Sequence, residues 1–255
     1  MLLVLDIGNT NTTLGVYHNG DQLTHWQLRT VVDKTADEYG IFLENLLDHN
    51  GFQTRNVKGI AVACVVPPLL RVLEEVSQDY FSLEPLIVQP GVKTRMPVLY
   101  EHPQEVGADR IANAVAAREV YGSPSVVIDL GTATTFDVIS PQGEYLGGVI
   151  TPGIAISADA LFRSTAMLPE VEIREPEQVI GTSTVGSIQS GLFYGPVSLI
   201  EGLLGRIRSE LDTSPTTIAT GGLAPVFFPH CRGIDHLDPH LTLKGLKYIY
   251  DLNHG

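Results

Sequence analysis

An uninterrupted apolar run that ends on Asp-x-Gly occurs twice in this chain. Leu2-Leu3-Val4-Leu5 leads into Asp6-Ile7-Gly8, and Val126-Val127-Ile128 leads into Asp129-Leu130-Gly131. Continuous runs of this length fit strands covered on both faces. Each is followed by a hydroxyl-rich turn and a further strand pattern, Thr12–Tyr17 in one case and Phe136–Ile139 in the other. Asn19-Gly20 then turns the first chain segment into Gln22–Leu28, and Gln142-Gly143 turns the second into Glu144–Ile150. The two aspartates lie 123 residues apart in a chain of 255, so the pattern reads as a duplication with two halves of similar plan.

The remaining periodicity fills in helices between the strands. Thr35-Ala36-Asp37-Glu38 has the form of a capping box, and Tyr39, Phe42, Leu43, Leu46 and Leu47 follow at helical spacing before Gly51. Gly59–Val66 is a β-rich run stopped by Pro67-Pro68 at an expected helix start, and Leu86–Val88 is a short strand candidate. Gln104–Tyr121 predicts a helix or turn plus helix ending near Gly122. Thr182–Leu211 has helical apolar spacing but holds five glycines after Thr184, which lower helix propensity and suggest a close helix or ligand approach. Thr217–Ala219 predicts a strand running into Thr220-Gly221-Gly222, and Leu241–Asn253 a final amphipathic helix. Alternating strands and helices give an α/β class. The duplicated plan is similar to the actin-like (ribonuclease H-like) ATPase fold. That resemblance implies two half-domains, residues 1–118 and 119–255, around a central cleft, with two phosphate-holding turns and a later Gly-Gly turn beside the adenosine.

Composition narrows the class of ligand. Apolar residues make up 44% and charged residues 18%, ordinary for a compact chain, and no apolar stretch approaches membrane-spanning length. The apolar start has no basic flank and is interrupted by Asp6, so it reads as a core strand rather than a secretory leader. Cys64 and Cys231 have no metal-like spacing, nor do the eight histidines, and a cytoplasmic location is expected. The formal net charge of −13 argues against a nucleic-acid-binding surface. It also means that an anionic ligand has to be held by backbone amides, a few cationic side chains or bound metal.

Asp6 and Asp129 end strands where α/β folds bind ligands, and each carboxylate can hold a cation beside a polyphosphate. Gly8 and Gly131 open the backbone amides of their turns to phosphate oxygens. Asn9, Thr10, Thr12, Thr13, Thr132 and Thr134 add short donors, although Thr in strands and Asn in turns also serve structure alone. In Gly107-Ala108-Asp109-Arg110 a carboxylate and a guanidinium are adjacent. One reading is a base for a substrate hydroxyl with an anion-binding Arg; the other is a helix-start Asp beside a surface Arg.

Taken in order, Asp6-x-Gly8-Asn9-Thr10, Gly107-Ala108-Asp109-Arg110, Asp129-x-Gly131-Thr132 and Gly221-Gly222 resemble the type III pantothenate kinases, and the likeness extends through Asp37-Glu38-Tyr39 and Val65-Val66-Pro67. The resemblance implies ATP-dependent phosphorylation of pantothenate to 4'-phosphopantothenate, the first step of coenzyme A biosynthesis, by a homodimer. It assigns ATP binding to Asp6, Ile7, Gly8, Asn9, Thr10, Asn11, Thr12, Thr13 and Thr132, with Asp6 in the vicinity of Mg²⁺. It assigns the pantothenate pocket to Tyr100, Gly107, Ala108, Asp109 and Arg110, with Asp109 as catalytic base. It makes Asp129 the ligand of K⁺ or NH₄⁺ and brings Thr184 into the pocket from the partner subunit. Two positions depart from the family pattern. Ser183 stands where Asn is common, and Thr13 where many relatives carry Lys.

Two other functions share these turns. Another actin-fold phosphotransferase would have a different acceptor motif, and a non-catalytic nucleotide-binding regulatory protein would not need the Asp109 base.

Overall fold

The structure, a computed structural model, describes residues 1–165 and 167–255. The chain forms two compact units. One comprises Met1–Met96, Tyr100–Ala116 and Leu241–Gly255, and the other Pro97–Leu99 and Ala117–His240.

The first unit is built on β1 (Leu2–Ile7), β2 (Asn11–His18), β3 (Asp21–Arg29), α1 (Ala36–His49), β4 (Gly59–Cys64), α2 (Pro67–Phe81) and β5 (Leu86–Ile87). Its sheet has the order β3-β2-β1-β4-β5, antiparallel at β1/β2 and β2/β3 and parallel at β1/β4 and β4/β5. Asn19 and Gly20 both take positive φ, which suits the twist of the β2–β3 hairpin. Thr35 and Glu38 close the expected capping box on α1, whose Tyr39, Leu43 and Leu47 face the core. Those side chains meet Leu69, Leu73 and Val76 of α2 and the odd-numbered Leu3, Leu5 and Ile7 of β1.

α3 (Ala108–Tyr121) crosses the boundary between the units, which falls between Ala116 and Ala117. The second unit continues with β6 (Ser125–Leu130), β7 (Ala133–Ile139), β8 (Tyr145–Pro152), α4 (Ile154–Arg163), α5 (Thr184–Leu211), β9 (Thr216–Thr220), α6 (Ala224–Phe227) and β10 (His236–Leu237). Its sheet order, β10-β9-β6-β7-β8, is that of the first sheet read from the other edge, with the same parallel and antiparallel pairings. The final helix, α7 (Leu241–His254), belongs to the first unit. A sequence duplication does not encode that return.

The repeat extends to local detail. β1 and β6 share one burial pattern, fully buried except for the aspartate in the fifth place and, in both, buried again at the sixth. A register shift falls between Val16 and Tyr17 in the first sheet and between Val138 and Ile139 in the second. Those positions are 122 apart while the aspartates are 123 apart. The difference lies in the turns, since Gly8 N–H donates to Asn11 O across one more residue than Gly131 N–H spans to Ala133 O.

α5 buries Ser190, Phe193, Val197, Ile200, Leu204 and Ile207 at three- and four-residue spacing. Four of its glycines mark no close approach among the described residues: a Cβ built at Gly191, Gly195, Gly202 or Gly205 meets no atom within 4 Å.

Candidate functional site

In the first unit the chemistry gathers at the carboxyl ends of β1 and β4. Asp6 and Thr13 stand opposite one another in the β1–β2 ladder and so share a face of the sheet. Ile7 and Thr12 take the other face, and Thr12 is buried at 2% exposure. Between them Asn9, Thr10 and Asn11 form an exposed turn closed at 3.0 Å by the Gly8 N–H bond to Asn11 O. The turn thus offers backbone amides and short side chains to solvent, while the Thr12 hydroxyl points into the protein.

The end of β4 ties this turn to the start of α3. Val65 N–H donates to Ile7 O at 3.1 Å, and Val65 also lies against Gly107. Asp6 pairs with Ala63 in the β1–β4 ladder, beside this strand end, and burial pushes the Cys64 thiol up. At Gly107 a Cβ would come within 2.5 Å of Asp109 Oδ1, so only glycine lets the carboxylate lie where it does. The same oxygen accepts the Arg110 N–H at 2.8 Å. Burial raises the pKa of Asp109, while the Arg110 N–H and the Arg110 guanidinium lower it by less. A half-buried carboxylate made more basic and oriented by its neighbour's amide can accept a proton from an alcohol. Of the second reading of Gly107–Arg110, the helix-start Asp stands, since Asp109 lies in the first turn of α3, and the surface Arg does not, because Arg110 is buried. Tyr100 is half-buried in the segment between Met96 and the short 3₁₀ turn at Pro103–Glu105.

In the second unit Asp129 ends β6 beside Thr220 of β9, and Thr132 is exposed on the following turn. Thr134 is buried, so its hydroxyl is not presented to solvent. Gly221 has φ +92°, and a Cβ there would lie 2.4 Å from Asp129 Oδ1. The Gly221–Ala224 turn is pinned to the same strand end, with Leu223 N–H donating to Leu130 O at 3.2 Å. The Gly-Gly turn therefore walls the Asp129 carboxylate, a contact that sequence spacing did not reveal. A carboxylate bordered by bare backbone fits a hard cation sharing its remaining coordination with carbonyls, phosphate oxygens and water. Among the described residues no group of three or more His, Cys, Asp or Glu could hold a metal ion.

Thr184 opens α5 and is exposed. Ser183 is the helix N-cap, its Oγ accepting the Gly186 N–H at 3.1 Å. Asn and Ser cap helices about equally well, so the departure from the family pattern preserves the local fold that presents Thr184. Two residues that close the turns, Thr30 and Gly153, escaped sequence reasoning. Each only follows the end of a return strand, where Thr and Gly are ordinary turn residues.

Residues 2–206 match the family model described as type III pantothenate kinase. The chain belongs to the type III pantothenate kinase family. It is similar to the type III pantothenate kinase of Syntrophus aciditrophicus, 50% identical over 254 residues that cover 99% of this chain and 100% of that one. The one from Bacillus cytotoxicus is 48% identical, covering 99% and 97%. Among solved structures, a conserved putative Baf family transcriptional activator from Campylobacter jejuni superposes with a TM-score of 0.65 at 22% identity, covering 99% and 98%. A putative 2-dehydro-3-deoxygalactonokinase from Sinorhizobium meliloti gives 0.62 at 12% identity, covering 99% and 96%. At these identities the two structures speak for the fold, and they place the duplicated α/β plan among the actin-like sugar-kinase folds. No helix among the described residues is long and apolar enough to cross a membrane.

Proposed function

We propose that the protein phosphorylates the primary hydroxyl of pantothenate with ATP, giving 4'-phosphopantothenate and ADP in the first step of coenzyme A biosynthesis. The observation that carries this reading is the Asp109 carboxylate, raised in basicity by burial and held by the Arg110 amide over Gly107. In the reaction the pantothenate hydroxyl oxygen attacks the γ-phosphorus as its proton passes to Asp109. The bond from γ-phosphorus to the β,γ-bridging oxygen breaks, and ADP leaves with that electron pair. The Gly8–Asn11 turn, flanked by Asp6, Ile7, Thr12 and Thr13, positions the phosphates, and Thr132 contacts the nucleotide. Tyr100, Gly107, Ala108 and Arg110 orient pantothenate, with the buried guanidinium matched to its carboxylate. Asp6 would hold Mg²⁺ and Asp129 K⁺ or NH₄⁺, which supply neutralisation of charge on the transferred group when bound.

The reading includes a homodimer in which Thr184 enters the partner's pocket. Support comes from α5, where Ser187, Gly191, Gly195, Ser198, Gly202, Gly205 and Ser209 follow one another at three- or four-residue spacing on an exposed face. Four interior glycines give up roughly 4 kcal/mol of helix propensity relative to alanine. A second helix packed closely on that face would offset the loss. A cytoplasmic location is part of the same reading, supported by Cys64 and Cys231 both being free thiols.

The test is ADP release over a panel of small hydroxylated acids and sugars, with and without K⁺. Release that depends on pantothenate and rises with K⁺ is expected, and Asp129→Asn should abolish the rise. Release with a sugar acceptor, or none with pantothenate, refutes the activity. Equilibrium sedimentation and mixing of Thr184→Ala with Asp109→Asn protein test the dimer. Recovered activity is expected, and no recovery after confirmed subunit exchange refutes the shared pocket.

A further inference from the structure

Asn9, Thr10 and Asn11 of the Gly8–Asn11 turn are exposed, yet binding a polyphosphate through the turn's amides requires one fixed shape. The fold supplies a lock from outside the turn. Thr30, the residue after β3, is buried at 9% exposure and touches the turn at both ends. Its N–H donates to Thr10 O at 2.9 Å, and its Oγ1 donates to Gly8 O at 2.7 Å. Thr30 Oγ1 also lies 2.9 Å from Thr12 Oγ1. A hydroxyl has a single proton, and Thr30 spends its own on Gly8 O, so Thr12 donates to Thr30. The order of donors therefore runs from Thr12 to Thr30 to the Gly8 carbonyl. Behind it the Tyr39 phenol donates to Val31 O at 3.4 Å, tethering the segment just after Thr30 to α1.

We propose that Thr30 is a positioning residue for nucleotide binding, fixing the Gly8 peptide so that the turn's amides meet the ATP phosphates without prior reordering. The proposal rests on the assignment of that turn to ATP. Thr30 itself does not touch substrate. It acts through the Gly8 carbonyl, and the Thr12 hydroxyl, one of the groups expected to bind ATP, serves this chain of bonds instead.

The experiment compares Thr30→Val with Thr30→Ser in the full-length protein. It reads MgATP binding by titration calorimetry without pantothenate, and the separate KM values for ATP and pantothenate in ADP release. Valine keeps the shape and loses the hydroxyl; serine keeps the hydroxyl. Thr30→Val is expected to weaken ATP binding and raise the ATP KM about tenfold, with the pantothenate KM within twofold of wild type. Thr30→Ser should stay within about threefold of wild type on ATP. Unchanged ATP affinity in Thr30→Val overturns the proposal, as does an equal loss in both variants or an equal rise in both KM values. Should Thr30→Val fail to fold, Thr30→Ala, which also lacks the hydroxyl bonded to Gly8 O, carries the test: a raised ATP KM alone supports the lock, and an unchanged one overturns it. Wild-type protein that binds MgATP but does not phosphorylate pantothenate would refute the activity while leaving the lock measurable by calorimetry.

Discussion

Asp109→Asn should separate two quantities that usually fall together, turnover and stability. Asn is isosteric, and its carbonyl oxygen can still accept the Arg110 N–H now bonded at 2.8 Å, so the start of α3 keeps its shape. What disappears is the proton acceptor. General-base assistance is worth roughly 100- to 10,000-fold, which is about 3–5 kcal/mol of transition-state stabilisation. Stability moves the other way. The folded pKa of Asp109 is raised above the ordinary 3.8, mainly by burial. A group raised in this way contributes its full stability below 3.8 and loses it as pH climbs through the folded value. At neutral pH the wild type therefore carries the burden of an ionised carboxylate in a poorly hydrated place, and the variant does not. Steady-state ADP release should fall by at least 100-fold in kcat, and the acid limb of the wild-type kcat/KM profile, displaced upward from the usual carboxylate range, should vanish. Urea unfolding at pH 7 should show the variant at least as stable as wild type, the gap narrowing as pH is lowered toward 4. Turnover within tenfold of wild type would refute the base. Destabilisation beyond about 1 kcal/mol at pH 7 would show instead that the charge is structural.

Two further substitutions test the surroundings of the site. Gly221→Ala puts a Cβ 2.4 Å from Asp129 Oδ1 in a backbone at φ +92°, so it should destabilise by about 1–3 kcal/mol and raise the K⁺ concentration for half-activation. An unchanged melting temperature and unchanged K⁺ response would refute the contact. Ser183→Ala removes the cap of α5 and should lose about 1 kcal/mol in urea unfolding, whereas Ser183→Asn should stay near wild type. Equal losses in both would show that capping is not what the position does.

Much of the fold was legible because each half writes its topology locally. The buried β1 and β6 show as apolar runs, Asn19-Gly20 states its hairpin, and Thr35 with Glu38 states the start of α1. Of the two short parallel edge strands, β5 at Leu86–Ile87 was legible as the apolar Leu86–Val88, whereas β10 at His236–Leu237 was not. Its two residues, one of them polar, carry too little pattern to read. The placement of α7 was not legible at all, since an amphipathic helix states that it has an apolar face but not which sheet will cover it. In the site, Asp-x-Gly and Gly107–Arg110 were visible as residue types at spacing. Their surroundings were not, because the Gly221 contact with Asp129 and the Thr30 bond to Gly8 join residues distant in sequence through backbone geometry.

The duplication keeps the backbone plan of the two halves and changes how each turn is closed. In the first sheet Val4 pairs with Gly15, while in the second the matching Val127 pairs with Asp137, a buried carboxylate that accepts the Tyr145 phenol at 2.8 Å. The turns diverge in the same manner. Thr30 closes the longer one with a side chain. The shorter one is closed by Gly153, whose position leaves no room for any side chain: a Cβ would fall 2.1 Å from Thr132 O and 2.6 Å from Gly131 O. The Gly153 φ of −68° is open to every residue, so the restriction is contact alone. A side-chain lock can be graded through serine and valine, whereas a backbone lock has no intermediate setting. Gly153→Ala must push Gly131-Thr132 away from the end of β8 or shift the start of α4, with an overpacking penalty of about 1–3 kcal/mol. The displaced turn is the one that carries Thr132, so urea midpoint and ATP affinity should fall together. Gly153→Ala protein with a wild-type midpoint and wild-type MgATP binding would show that the second turn does not depend on this approach.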